Sequence, residues 1–560
     1  MLEFIPSKIE KTKMKTKKIY ANLVHIEQQT TVPSCIEIEN GKIINIYRVD
    51  KSFNSYILCG FIDAHIHIES SMMPPSEFAR VALTHGTIGA VTDPHEIANV
   101  LGIEGIEFMI ESGKKVPFYF SNGLPSCVPA TSFETAGAEI GIKESEQLLP
   151  RDEITHLSEV MNIPAVLNND PEIFAKIALA KKHHKPIDGH APLLRGEELT
   201  QYINSGITTD HEAISYDEAK EKIEKGMKIQ IREGSSAKNF EALYPLIDEY
   251  PNSCMFCSDD LHPNDLITGH INLLVKRAVQ KGMNLWNVLR CASINPKNHY
   301  NLELGTLNIG DWADFIEVDN LNDFNVLNTY IKGELVASNG ESLIPVQREQ
   351  SINNFQAKPI SSVQLHVRNH NKDIRVIKAM DGELITKELW ETPRVKNGLI
   401  VSDTTKDILK IVVVNRYTKE AKISIDFIEG FGFKQGAIAS SIAHDSHNII
   451  AVGVSDTELT EAINLLIKNR GGISAVYEEN KEVLPLEIAG LMSQKEGKEI
   501  ANIYSKLDTI VKEKMGSTLK APYMTLSFMA LLVIPELKLS DKGLFDGRAF
   551  HFVSRYRGEK

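Results

Sequence analysis

The 560-residue sequence has six cysteines, three tryptophans and no apolar run long enough to span a bilayer. Six thiols scattered over that length do not make a disulfide framework, so they are expected to stay reduced, as in a cytoplasmic protein. Cys254 and Cys257 form a lone CxxC with no second pair, which favours packing over metal or redox chemistry. The opening MLEFIPSKIEKTKMKTKK has a basic cluster but neither the apolar core nor the small-residue cleavage site of a secretory signal. Basic excess is missing too. A formal net charge of -13 disfavours a nucleic-acid backbone as partner and suits a small neutral or cationic molecule. Hydrophobic residues at 42% and charged residues at 24% are ordinary for a globular chain, and the length implies two or three domains.

Residues 18–56 alternate apolar and polar positions between turn residues, which reads as small antiparallel strands. Between 58 and 298 the strand-like runs TIGAVT, VPFYFS, IPAVLNN, KPIDGH, GITTDH, MKIQIREG and CMFCSDD alternate with helical stretches. Repeated strand-helix units of this number predict a closed (β/α)₈ TIM-type barrel. After Pro296, LNIGDWADFIEVDN and TYIKGELVASNG return to short strands that would complete the sheet begun before the barrel. From 361 onward strands and the amphipathic TELTEAINLLIKNRGG predict a further α+β unit. The expected organisation is α/β: a β-rich flanking domain (1–57 with 299–350), the barrel (58–298) and a C-terminal α+β domain (361–560).

Barrel chemistry collects where the strands end, so the polar residues closing each apolar run are the candidates. His65 and His67 close the first run in GFIDAHIHIESSMM, two residues apart and therefore on one face. Asp93, His95 and Glu96 close the second; Asn168, Asn169 and Asp170 the fourth; His190 the fifth; His211 the sixth; Glu233 the seventh; Asp259 the eighth. One such histidine is commonly a surface residue. Four histidines and an aspartate on one barrel mouth are expected to share a metal. They are too many for one hydrolytic ion with an open position and suit two ions with a bridging carboxylate. Nitrogen and carboxylate oxygen without thiolate suit manganese or iron, with zinc allowed. In GLPSCVPAT, Ser126 and Thr131 offer hydroxyls to a substrate edge, against the plainer reading of a proline-stiffened loop. His444, Asp445 and His447 in SIAHDSHN form either an ordinary turn or a roof over the barrel mouth.

The chain resembles the amidohydrolase superfamily in FIDAHIH, in the histidines of IDGHAP and TTDHEA, and in the aspartate of CSDD, over roughly residues 18–345. Within it, ESSMMPPSEFA, GAVTDPHEIANVLG, GLPSCVPAT, PLLRG and GFGFKQGAIASSIAHDSHN resemble the adenine deaminase family across nearly the whole chain. The first sixty residues depart from that family's glycine-bearing pattern. The resemblance implies a metal-dependent aminohydrolase that converts adenine to hypoxanthine and ammonia, with two divalent ions, manganese foremost, and a homodimer. His65, His67, His190, His211 and Asp259 would be metal ligands, and Asp259 would also carry the proton. His95 or Glu233 would protonate the ring; Ser126, Thr131, Asn169 and Asp170 would touch substrate. Many superfamily members bridge their metals with a lysine closing the fourth strand, yet IPAVLNNDPE has none. Glu96 is then the expected bridge and a metal ligand, with Glu69 and Asp170 as rivals. A dihydroorotase-like hydrolase of cyclic amides or imides is the alternative, with Arg195 or Arg232 reading an acidic substrate. A catalytically diverged paralogue is the third reading.

Overall fold

The computed structural model describes residues 16–559. The reading of the N-terminal basic cluster lies outside them for the most part. Lys17–His25, Thr30–Glu39, Lys42–Arg48 and Tyr56–Cys59 share one eight-stranded sheet with Phe315–Val318, Val326–Ile331, Glu334–Ser338 and Glu341–Ser342. Tyr56–Cys59 is the seam, parallel to the first strand and antiparallel to Phe315–Val318. The sheet therefore joins the chain entering the barrel to the chain leaving it.

The barrel strands are β1 (Phe61–Ile66), β2 (Thr87–Thr92), β3 (Tyr119–Leu124), β4 (Ile154–Val160), β5 (Ile187–Gly189), β6 (Thr209–Asp210), β7 (Lys228–Arg232) and β8 (Cys254–Cys257). Every ladder among them is parallel. Two backbone bonds join the end of β8 to that of β1: Asp259 N–H donates to His65 O at 2.9 Å and His67 N–H to Asp259 O at 3.2 Å. Between β5 and β6, Thr208 N–H donates to Ile187 O at 2.9 Å.

The fourth strand is ITHLSEV, not IPAVLNN as the apolar run suggested. Ile163–Leu167 is a short helix whose Asn162 cap accepts from Ala165 N–H at 3.0 Å. Its Pro164 has no N–H for a central ladder but fits a first helical turn, whereas the β-branched Ile154, Thr155 and Val160 suit a strand. Asn168 and Asn169 are exposed, and Asp170 caps the helix Pro171–Lys182 by accepting from Glu172 and Ile173 N–H.

Beyond the flanking sheet, a second eight-stranded, mostly antiparallel sheet runs from Ile374 to Pro485, with Ile408–Val414 and Ile449–Gly453 at its centre. Helix Asp456–Asn469, capped by Ser455, buries Leu459, Ala462, Ile463 and Leu466 against Val412, Val414 and Ala437. That i, i+3, i+4, i+7 stripe is the reason it is amphipathic, and each large aliphatic contributes about 1.5–3 kcal/mol. The C-terminal region is tied onto the barrel by polar bonds as well. Gly497 N–H donates to Glu77 at 2.7 Å, Ser493 N–H to Met72 O at 2.9 Å, and Asn448 to Thr135 O at 2.9 Å. Among the described residues no helix is long and apolar enough to cross a membrane.

Under the barrel mouth, the fully buried Lys222 ammonium bonds Asp210 at 2.9 Å, Glu218 at 2.7 Å and Ala191 O at 2.6 Å. Asp210 in turn accepts from Ala191 and Ala213 N–H, which fixes the chain on either side of His190 and His211. Lys222→Ala would leave two buried carboxylates unpaired. It is expected to cost about 3–5 kcal/mol, read from the urea unfolding midpoint.

Candidate metal centre

Buried Asp63 sets the register of the mouth. Its Oδ1 accepts from His65 N–H at 3.2 Å and Ser258 N–H at 3.0 Å, while Oδ2 holds His270 Nε2 at 2.8 Å and the Ser258 hydroxyl. The ends of β1 and β8 are thereby locked together. His67 Nδ1 lies 3.0 Å from Asp93 O, a partner that can only accept. The proton of a neutral imidazole therefore sits on Nδ1, and Nε2 turns a lone pair inward, as a metal ligand must. His65 stacks on His211, ring centroids 4.1 Å apart.

Glu159, near the end of β4 and 3% exposed, is where the imidazoles converge. His190 Nδ1 lies 2.7 Å from its Oε2 and His211 Nε2 3.2 Å; His95 Nδ1 lies 3.4 Å from Oε1 and His67 Nε2 3.5 Å. Burial alone would raise its pKa. His190 and His211 outweigh that and hold it well below the usual carboxylate range. On the other side of His67, Asp259 Oδ1 is 3.1 Å from His67 Nε2 and 3.6 Å from His65 Nε2. Asp259 takes a left-handed backbone, φ 56°, just past β8. Burial again pushes its pKa up, and Arg232, His65 and His67 hold it well below its ordinary value.

These side chains fit divalent cations. Potential ligand atoms of His65, His67 and Asp259 lie within 4.8 Å of one another, as do those of His65, Glu159 and His211. The buried His65 Nε2 and His95 Nδ1 have no hydrogen-bond partner among the described residues, an arrangement that costs free energy unless a cation takes the lone pair. Glu159, a member of the second set, also lies 3.5 Å from His67 Nε2 of the first.

Of the other expected residues, Glu96 lines the same cavity and its ligand atoms lie within 4.8 Å of those of His95 and Asp445, while the rest do not line it. Glu96, at the start of the helix His95–Leu101, pairs with His444 Nδ1 at 2.7 Å, with His447 Nε2 and with His95 Nε2 at 3.3 Å. Two C-terminal histidines occupy the carboxylate that was expected to bridge, because the roof descends onto it. Glu69 accepts from Ile97 N–H, and Asp170 is the helix cap already described. Glu233 faces Arg277 at 2.9 Å and Lys238 at 3.4 Å and lines a separate cavity with His270. Ser126 donates to Glu159 O at 2.5 Å and so supports β4 from behind; Thr131 accepts from Phe133 N–H within its loop. Asn169 is on the outer surface.

The cavity is lined at its base by His67, His95, Glu159, His190, His211 and Asp259. Its walls include Glu212 and Arg232, whose guanidinium bonds both Glu212 and Asp259. The C-terminal region supplies the roof: Leu384, His444, Asp445, Phe528, Leu531, Val533 and Ile534. Glu159 and Glu212 as cavity residues were not singled out from sequence, whereas Asp445 belongs to the turn offered as a roof. The signal for Glu159 was ITHLSEV itself, a β-branched run between VPFYFS and KPIDGH that ends on a carboxylate.

Residues 56–336 match the amidohydrolase family, and residues 383–551 match the adenine deaminase C-terminal domain. An adenine deaminase of Sulfurovum sp. (strain NBC37-1) is 56% identical over 96% of this chain and 99% of its own. Those of Salinibacter ruber and Methanosarcina mazei are 50% and 52% identical, over 96% and 94% of this chain and 98% and 96% of theirs. Among solved structures, a beta-aspartyl dipeptidase of Fervidobacterium islandicum AW-1 aligns with TM-score 0.45 at 15% identity, over 59% of this chain and 98% of that one. The chain is thus an amidohydrolase, and within that class it belongs to the adenine deaminase family.

Glu159→Gln should lower the divalent metal bound per purified chain, measured by plasma mass spectrometry. Glu96→Gln should leave that content at the wild-type value while loosening the roof.

Proposed function

We propose that the chain deaminates adenine hydrolytically to hypoxanthine and ammonia in purine salvage, at a pair of divalent ions. The observation that carries the reading is the cluster of four imidazoles around Glu159, roofed by the C-terminal domain that matches the adenine deaminase family. His65, His67 and Asp259 would hold one ion and His190 and His211 the other, with Glu159 between them. Manganese suits this donor set, with iron or zinc allowed. When bound, such ions supply Lewis acidity that brings a water's pKa towards neutrality.

Asp259 is already ionised beside Arg232, so it can accept a proton from water at the mouth and return one to the departing amine. His95, between Glu96 and Glu159, is placed to exchange a proton with a ring nitrogen. The apolar Leu384, Phe528, Leu531, Val533 and Ile534 exclude water and suit a flat, uncharged base.

The dihydroorotase-like alternative needs a free arginine at the mouth. Arg232 is engaged by Glu212 and Asp259, and Arg195 is paired with Glu221 on an exposed surface at 2.8 Å. Neither is available to a carboxylate substrate. The proposed setting is the cytoplasm and the proposed assembly a homodimer, with no nucleic-acid or membrane partner, in keeping with the net charge of -13. Sedimentation of the purified chain tests the assembly.

The deciding assay is ammonia release by manganese-loaded protein from adenine, adenosine, cytosine, guanine and dihydroorotate. Adenine should be turned over fastest; faster release from adenosine would reject the base-specific reading. Asp259→Asn should lose about 10²–10⁴-fold in kcat, or more if metal is lost with it. Activity within a few-fold of wild type would remove Asp259 from the proton path.

A further inference from the structure

The turn that roofs the cavity is anchored through its backbone and imidazoles, while the Ser446 hydroxyl and one carboxylate oxygen have no hydrogen-bond partner among the described residues. His444 N–H donates to Ser527 O at 3.2 Å and its ring pairs with Glu96. His447 N–H donates to Ala443 O at 2.7 Å, while Ala443 N–H donates to His447 Nδ1 at 3.2 Å. That last bond uses the Nδ1 lone pair, so a neutral His447 carries its proton on Nε2, facing Glu96. It is a donor there and not a metal ligand. Tyr417 donates to Ser446 O at 2.6 Å, and Asn448 reaches Thr135 of the barrel. Asp445, between these anchors, is 4% exposed and lines the cavity, yet its Oδ2 has no hydrogen-bond partner among the described residues.

A buried carboxylate oxygen without a donor is costly, and a rigid turn that holds it at a cavity wall has no stabilising reason to keep it. A ligand N–H would satisfy it. Asp445 has an oxygen within 4.8 Å of ligand atoms of both His95 and Glu96, so it lies beside the groups that flank the metal cluster. Phe528, stacked on His444 with ring centroids 4.9 Å apart and an interplanar angle of 22°, lines the same cavity. The cavity lining therefore includes a flat aromatic ring and a carboxylate with an unsatisfied oxygen. A free purine base is flat and carries an N–H on its imidazole ring; a nucleoside has a glycosidic bond in place of the N9–H and a sugar that the walls of Leu531, Val533 and Ile534 would meet.

We infer that Asp445 is a specificity-determining residue that accepts a hydrogen bond from the imidazole N–H of the purine base, and so selects the base over N9-substituted purines. This rests on the deaminase reading above. The cavity needs the C-terminal domain, on this account, for recognition as well as for excluding water.

The test compares Asp445→Asn and Asp445→Ala with wild type, all manganese-loaded, using adenine and 9-methyladenine. Wild type should prefer adenine. Each variant should raise KM for adenine about 10- to 100-fold, the value of one hydrogen bond to a charged acceptor. KM for 9-methyladenine should move far less, with manganese content and melting temperature unchanged. Asn keeps the shape, so a folding defect confined to Ala does not obscure the result. Equal changes for both substrates, unchanged adenine KM, or a wild type indifferent to N9 methylation would overturn the assignment. So would a variant that loses manganese, because Asp445 would then be a ligand with His95 and Glu96. If wild type releases ammonia from no purine, the deaminase reading falls by itself. Equilibrium binding of the same two bases to wild type and variants then decides the role of Asp445 independently.

Discussion

Glu159 is almost completely buried, and His67, His95, His190 and His211 all lie within 3.5 Å of its oxygens. An ionised carboxylate in such a place is stable only where positive charge offsets its burial, and the imidazoles are held in place because the barrel fixes their strands. Each supporting contact serves that convergence. Asp63 pins β1 to β8, Lys222 and Asp210 brace the ends of β5 and β6, and Ser126 supports β4 from behind. Removing one imidazole alters the field at the carboxylate and at its neighbours together.

The C-terminal domain adds a second layer of control. Its His444 and His447 take both oxygens of Glu96, which leaves Glu96 adjacent to His95 but outside the convergence on Glu159. The roof also turns an open barrel mouth into a cavity with an apolar ceiling. Electrostatic interactions are stronger where water is excluded, so the same side chains act differently beneath this lid than they would at an open surface. Arg232 belongs to that arrangement: bonded to Glu212 and Asp259, it keeps Asp259 ionised and is unavailable to an anionic substrate.

How the sequence misled at β4 is instructive. IPAVLNN is the more apolar run and ITHLSEV the more polar one, so hydrophobicity alone selected the wrong segment. A buried barrel strand can still carry His156 and Glu159 when partners are at hand: His156 Nδ1 meets Thr155 Oγ1 at 3.0 Å, and Glu159 meets the converging histidines. Pro164 was the local cue against a strand. The missing lysine turned attention to a carboxylate, and Glu159, on which the imidazoles converge, stands outside the recognised motifs.

Local patterning was sufficient for what depends on period and chemistry: alternating strand-helix units gave the barrel, and HxH, the IDGH and TTDH histidines and the CSDD aspartate marked side chains at strand ends. Those features are legible because a side chain's direction on a strand follows from its position alone. Which carboxylate stands among the imidazoles, that Glu96 is occupied by histidines some 350 residues away in sequence, and that Asp445 faces the cavity were decided by tertiary structure. Partners brought together from separate domains leave no periodic trace in the chain, since their spacing along it is set by the fold and not by local geometry.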